Sequence, residues 1–73
     1  ENVKASFVVF ISGNVVNISA RSLGKVNVQL IMEELGGGGH LTMAACQLDG
    51  LSMNEAIDKL RNAIRHYNQV NKQ

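Results

Sequence analysis

The run Gly36-Gly37-Gly38-Gly39-His40 is the part of this 73-residue chain that most needs a chemical explanation. Glycine inside regular structure is destabilising by roughly 0.5–1 kcal/mol relative to alanine. One glycine just past a helix is ordinary punctuation, so three more in succession require a further reason. Glycine lets backbone N–H groups converge on a ligand without obstruction from Cβ, and such nests hold phosphate oxygens. His40 adds a donor that can gain positive charge beside an anion. A second polar set stands upstream, where Asn17, Ser19 and Arg21 alternate with Val16, Ile18 and Ala20. An amide, a hydroxyl and a guanidinium in line at period two make either a solvated strand face or one wall of an anion site. The glycine run has a plain structural reading too, as a flexible loop or a close helix–sheet contact, and the residues alone leave both readings open. It is not a P-loop. It lacks the GK[ST] ending, and it follows an expected helix C-terminus, whose dipole repels anions. Attraction must therefore come from the nest, His40, Arg21 or a following helix N-terminus.

The remaining reactive side chains have structural readings. Cys46 lies among alanines with nothing basic in sequence to activate it, and reads as a small buried apolar residue. Met32, Met43 and Met53 read as core filler, and His66 as a capping or solvated residue on a helix. Glu33, Glu34, Asp49, Glu55 and Asp58 read as helix surface, turn or cap, and no His/Asp set has metal-ligand spacing. The chain carries no complete catalytic set.

The elements that must position these residues can be read from periodicity. Residues 6–11 and 15–21 are β-branched and aromatic runs joined by Ser12-Gly13-Asn14, a hairpin signal. The first run is apolar on both faces, as a strand buried on two sides is expected to be, whereas the second shows one polar face. Asn27 can cap a helix over 28–35 in which Val28, Ile31, Met32 and Leu35 form the buried stripe, and Gly36 stops it. A third strand is expected over 44–48. Ser52-Met53-Asn54-Glu55 is a capping box that opens a helix running to about Asn68, with Met53, Ala56, Ile57, Leu60, Ile64 and Tyr67 inward. Beyond it residues 70–73 are expected to fray. The predicted fold class is α/β of α+β character: a small mixed β-sheet with two helices on one face, in the order β-β-α-β-α.

Composition narrows the function classes. A chain of 7.9 kDa allows one domain, here 1–73, and with 45% apolar and 18% charged residues it is expected to fold. At this size only about 60% of the surface of the unfolded chain is buried, so help from neighbouring protein, including homo-oligomer formation, is expected. Seven Lys+Arg against six Asp+Glu give +1, far from the basic footprint of a duplex nucleic-acid binder. The longest apolar run, 7–11, is well short of the ~20 residues that span a bilayer, and with one cysteine no internal disulfide forms. A soluble piece in a reducing, cytoplasmic setting is expected. The chain opens on Glu1 without a targeting signal, which reads as a piece of a longer protein.

Ile18-Ser19-Ala20-Arg21-Ser22, Asn27-Val28-Gln29-Leu30-Ile31-Met32 and Leu35-Gly36-Gly37-Gly38-Gly39-His40-Leu41-Thr42-Met43-Ala44-Ala45 together resemble the DHHA1 domain that follows a DHH domain in a family of metal-dependent phosphoesterases. The resemblance covers nearly the whole chain. The wording from Leu35 to Ala45 is most similar to the membrane-bound cyclic-di-AMP phosphodiesterases, in which transmembrane helices, a PAS domain and a degenerate GGDEF domain precede the DHH/DHHA1 pair. RecJ-type exonucleases and the nanoRNase/pAp-phosphatase group commonly carry a glycine where Cys46 stands here. The resemblance implies a division of labour. Mn2+ held by the DHH domain in cis activates water, and the DHHA1 domain closes over a nucleotide substrate, with no cofactor of its own. By the same resemblance Gly36, Gly37, Gly38, Gly39 and His40 contact phosphate and nucleoside, Arg21 and Ser22 form the opposing wall, and the parent protein is anchored at the cytoplasmic face of the membrane. An exonuclease or nanoRNase substrate, or a non-catalytic interaction module, is the alternative.

Overall fold

The computed structural model describes residues 4–71, and the order of elements is β1 (Ala5–Ser12), β2 (Val15–Ser22), α1 (Val28–Glu34), β3 (Gly38–Gly39), β4 (Met43–Asp49) and α2 (Met53–Val70). The sheet order is β1-β2-β4-β3. All three pairings are antiparallel, so the expected mixed sheet is antiparallel throughout the described residues. Two helices and a small sheet are as the sequence predicts; the two-residue strand β3 is an addition, hidden because its residues are glycines with no side-chain pattern.

The hairpin follows from local chemistry. Ser12 pairs with Val15 across Gly13-Asn14, and Gly13 at φ +62° supplies the left-handed first position of a type II′ turn, whose twist suits the flanking strands. Alternation then sorts β2 and β4. Val16, Ile18 and Ala20 with Ala44 and Cys46 are buried, and Val28, Ile31 and Met32 of α1 and Ala56, Leu60 and Ala63 of α2 complete the core. Both helices thus cover one face of the sheet. Ala63 was missing from the expected stripe, and Met53 is only half-buried.

One expectation fails. Among the described residues the first strand is not buried on two sides: it lies at the edge of the described sheet, with Phe7 and Val9 partly packed on the core while Val8 and Phe10 on the other face are 59% and 49% exposed. An apolar run has no periodicity from which to tell a central strand from an edge strand with an uncovered face.

The caps set the helices in place. Asn27 accepts from Leu30 N–H (3.3 Å), and Ser52 and Glu55 close the capping box. The Asn27 backbone N–H donates to the Tyr67 hydroxyl at 2.8 Å, tying the start of α1 to α2. α2 runs to Val70; of the expected fray, 72–73 lie outside the described residues.

Candidate functional site

The four glycines have four different environments. Gly36 has φ +87° and, with Gly37, closes α1: Gly36 N–H donates to the Glu33 carbonyl (3.0 Å) and Gly37 N–H to the Met32 carbonyl (2.8 Å), a Schellman arrangement. Gly37 also runs against β4, where a Cβ would overlap the Ala45 carbonyl oxygen and lie 2.5 Å from Cys46 Cβ. Gly39, at φ +148°, is pressed as tightly against Ala44. Gly38 is the exception, because a Cβ there meets nothing within 4 Å and its φ is not in the left-handed range. Helix closure and strand contact explain three of the glycines and leave Gly38 without a structural reason.

Converging N–H groups are fewer than the sequence suggested. Two are taken by helix closure. His40 N–H donates to the Met43 carbonyl (2.6 Å), and from that pair the antiparallel alternation turns the Gly38 backbone toward β4 and the Gly39 N–H outward. The tip of this β3–β4 turn is pinned from both sides: Ser22 N–H donates to the Thr42 carbonyl at 2.8 Å and Val28 N–H to the Leu41 carbonyl at 3.1 Å. The end of β2 and the start of α1 therefore fix where the glycine–histidine segment lies.

Register gathers most of the candidate residues on the uncovered face of the sheet. Arg21 is opposite Met43, and Met43 is opposite His40 by continuation of the β3–β4 register, so the three form one row. Ser19, Ala45 and Gly38 form the next row, and Asn17 with Gln47 a third. Arg21 reaches Met43 Sδ at 3.9 Å, a weak contact that leaves its guanidinium without a carboxylate partner among the described residues. His40 is exposed in the same region. Ser22 does not join them. Its side chain turns to the helix-covered face, is 8% exposed, and bonds Gly24 through both its N–H (3.3 Å) and its carbonyl (3.2 Å).

Two residues missed by the sequence reading stand on this face. Met43, expected in the core, is 54% exposed and bridges Arg21 and the His40 backbone; alternation from the buried Ala44 would have placed it there. Gln47 donates to Asn17 Oδ1 at 3.2 Å, an amide pair across β2 and β4. Hollows of about 390 Å3 beside Gly36 and Gly37 and about 250 Å3 beside Phe10 and Asn17 share the lining residues Ala45, Cys46 and Gln47. The first is at the lower end of the range of about 300–1,000 Å3 for small-molecule sites and the second falls below it.

Elsewhere the chemistry is structural. Cys46 is buried at 3% exposure, and burial pushes its thiol above the ordinary value. His66 pairs with Glu34 at 2.8 Å on the exposed side of the two helices. No three His, Cys, Asp or Glu side chains among the described residues converge in a way that could hold a metal ion. No helix among them is long and apolar enough to cross a membrane. Chemically, the uncovered face offers a guanidinium without a carboxylate partner among the described residues, an imidazole, an outward backbone N–H and a glycine floor that admits close approach. Groups of these kinds can hold an anion.

The chain is similar to known proteins over most of its length. The chain is 61% identical over 66 residues to the cyclic-di-AMP phosphodiesterase GdpP of Geobacillus thermodenitrificans, covering 89% of this chain and 10% of that protein. It is 53% identical over 68 residues to the cyclic-di-AMP phosphodiesterase PdeA of Listeria monocytogenes, covering 92% and 10%. The bifunctional oligoribonuclease and PAP phosphatase NrnA of Thermus thermophilus is 42% identical over 50 residues, covering 68% and 15%. The chain thus spans about a tenth of the length of these two phosphodiesterases. With residues 1–69 matching the DHHA1 domain, this chain belongs to the DHHA1 domain family.

Proposed function

We propose that this domain is the substrate-holding wall of a phosphodiesterase that hydrolyses cyclic di-AMP to the linear dinucleotide. The observation that carries the reading is Gly38, a glycine with no packing or dihedral reason to be one, in the row next to an unpaired Arg21 and to His40. A bare backbone beside a guanidinium and an imidazole is how a phosphate is admitted to contact distance and held, and the charge-assisted hydrogen bonds of the guanidinium give the strength. The Gly36 and Gly37 N–H groups hold the loop's shape rather than the ligand, and Gly39 offers its outward N–H. Ser22 keeps the end of β2 in place so that Arg21 projects correctly.

The chemistry of bond cleavage belongs to the rest of the protein. Mn2+ bound in a DHH domain in cis supplies a metal-activated water, and the present domain positions the phosphodiester for it. The parent protein is anchored in the membrane with this domain at the cytoplasmic face. The relatives' names support cyclic di-AMP as substrate. A second reading, short RNA or 3′,5′-bisphosphorylated adenosine, is supported by the similarity to NrnA. The buried Cys46, where that group commonly carries glycine, favours the first.

The test is manganese-dependent hydrolysis by the full-length protein with Arg21→Ala and His40→Ala, each checked for intact fold. Loss of kcat/KM on cyclic di-AMP by tenfold or more in both supports the reading. Full activity in both refutes it, and greater activity on short RNA than on cyclic di-AMP in the wild type transfers it to the second substrate class.

A further inference from the structure

Two amides on the uncovered face hold each other in one orientation. Asn17 Nδ2 donates to the Val15 carbonyl at 3.4 Å, which leaves Oδ1 as the atom that faces Gln47. Gln47 must then present Nε2 rather than Oε1, and it donates across the strands at 3.2 Å. A carboxamide carries two N–H donors and an acceptor oxygen. One N–H of Gln47 is spent on Asn17, and no side chain or backbone group among the described residues bonds its Oε1 or its other N–H.

Both residues lie on the inner strands of the sheet, β2 and β4, directly opposite each other. Phe10 is the partner of Asn17 on its other side and completes the row. The three line the hollow of about 250 Å3, which has no charged side chain in its wall. Sites for whole small molecules begin at about 300 Å3, so this one takes a flat, uncharged part of a larger ligand rather than a phosphate. Phe10 offers an aromatic face for stacking and the amides offer an edge for hydrogen bonds. Position says which part of a nucleotide that is. Ser19, Ala45 and Gly38 form the adjacent row, two residues or about 7 Å along the strands. A phosphate held over Gly38 has its nucleobase one ribose away, at Asn17 and Gln47.

We infer that the Asn17–Gln47 pair reads the adenine of the substrate, with Gln47 determining specificity and Asn17 positioning its amide; the inference rests on the phosphodiesterase reading above. A carboxamide with one uncommitted N–H and an uncommitted oxygen matches an adenine edge, where N7 accepts beside the N6 amino donor. A 6-oxo purine presents O6 in place of that amino group, so Gln47 Oε1 would meet a second acceptor. An isolated glutamine would turn its amide over to suit. Here the turn would set Gln47 Oε1 against Asn17 Oδ1, so the pair rejects the 6-oxo base.

Calorimetric titration of the full-length protein under metal chelation tests this with two ligands: cyclic di-AMP, and cyclic di-IMP, which carries O6 in place of each N6 amino group. A good bidentate contact to a base discriminates by roughly 5- to 150-fold. The wild type is expected to bind cyclic di-AMP more tightly than cyclic di-IMP by a factor in that range. Gln47→Ala removes the reading group, and Asn17→Ala frees the Gln47 amide to turn. Each is expected to bring the ratio of the two Kd values close to one with the melting temperature preserved. A merely structural role would weaken both ligands alike and leave the ratio where it was. A wild type that binds both ligands equally, or a ratio that survives either variant, overturns the inference and leaves the phosphodiesterase reading standing. Absence of wild-type binding to cyclic di-AMP overturns both.

Discussion

Replacing Gly38 by alanine separates ligand binding from folding more cleanly than any other change in the domain. The new methyl group meets nothing within 4 Å and the backbone is outside the left-handed range, so the fold should accept it. Where the conformation is compatible, Gly→Ala alters stability by only about 0.4–1 kcal/mol, in the stabilising direction. On the uncovered face, however, the same methyl group occupies the floor over which a phosphate would sit, beside Ser19 and Ala45. Holding the anion off the backbone forfeits one hydrogen bond to a charged group, about 1.5–3 kcal/mol, or roughly 10- to 150-fold in affinity. Gly37→Ala is the opposite control. Its Cβ would overlap the Ala45 carbonyl and lie 2.5 Å from Cys46 Cβ, so β3 must move off β4, at about 1–3 kcal/mol. The assay pairs thermal denaturation of the full-length protein with steady-state hydrolysis of cyclic di-AMP. Gly38→Ala should keep or slightly raise its melting temperature and raise KM tenfold or more, while Gly37→Ala should lower the melting temperature of this domain by several degrees. Unchanged KM in Gly38→Ala refutes the argument from the glycine's environment.

Two further outcomes test the packing account. Tyr67→Phe removes the acceptor of the part-buried Asn27 N–H and should destabilise the domain by about 1–3 kcal/mol, read by chemical denaturation, with KM unchanged. Cys46, whose thiol burial raises in the folded state, should resist alkylation in the native protein; because the unfolded thiol ionises first, stability should fall as pH climbs past about 8.5–9, and Cys46→Ala should flatten that fall.

What could be read from the sequence was what side-chain period and turn chemistry record. The alternation of β2, the Asn27 cap, the Ser52 capping box and the glycine stop after α1 each have one physical interpretation, and each stands where it was expected. The misses share a cause. β3 consists of glycines, so nothing in it alternates, and β1 is apolar without a break from Phe7 to Ile11, so its position at the edge of the described sheet left no trace in its own residues. Met43 was read as core by residue type when its register beside the buried Ala44 put it outside. At the candidate site, residue identities pointed to an anion. The partition of the glycines into closure, contact and an open floor depends on distances between α1, β3 and β4 that no spacing encodes. Ser22 and Arg21, adjacent in sequence, part to opposite faces because a strand alternates.

The central claim is that Arg21 and His40, brought into one row at the end of the sheet, hold the phosphates of a cyclic dinucleotide. Calorimetric titration of cyclic di-AMP into the full-length protein under metal-chelated conditions, where nothing turns over, tests it most directly when the wild type is compared with the double variant Arg21→Ala/His40→Ala. The account predicts a saturable wild-type isotherm and at least a tenfold weaker Kd in the double variant with its melting temperature preserved. An equal Kd in the two proteins would contradict it.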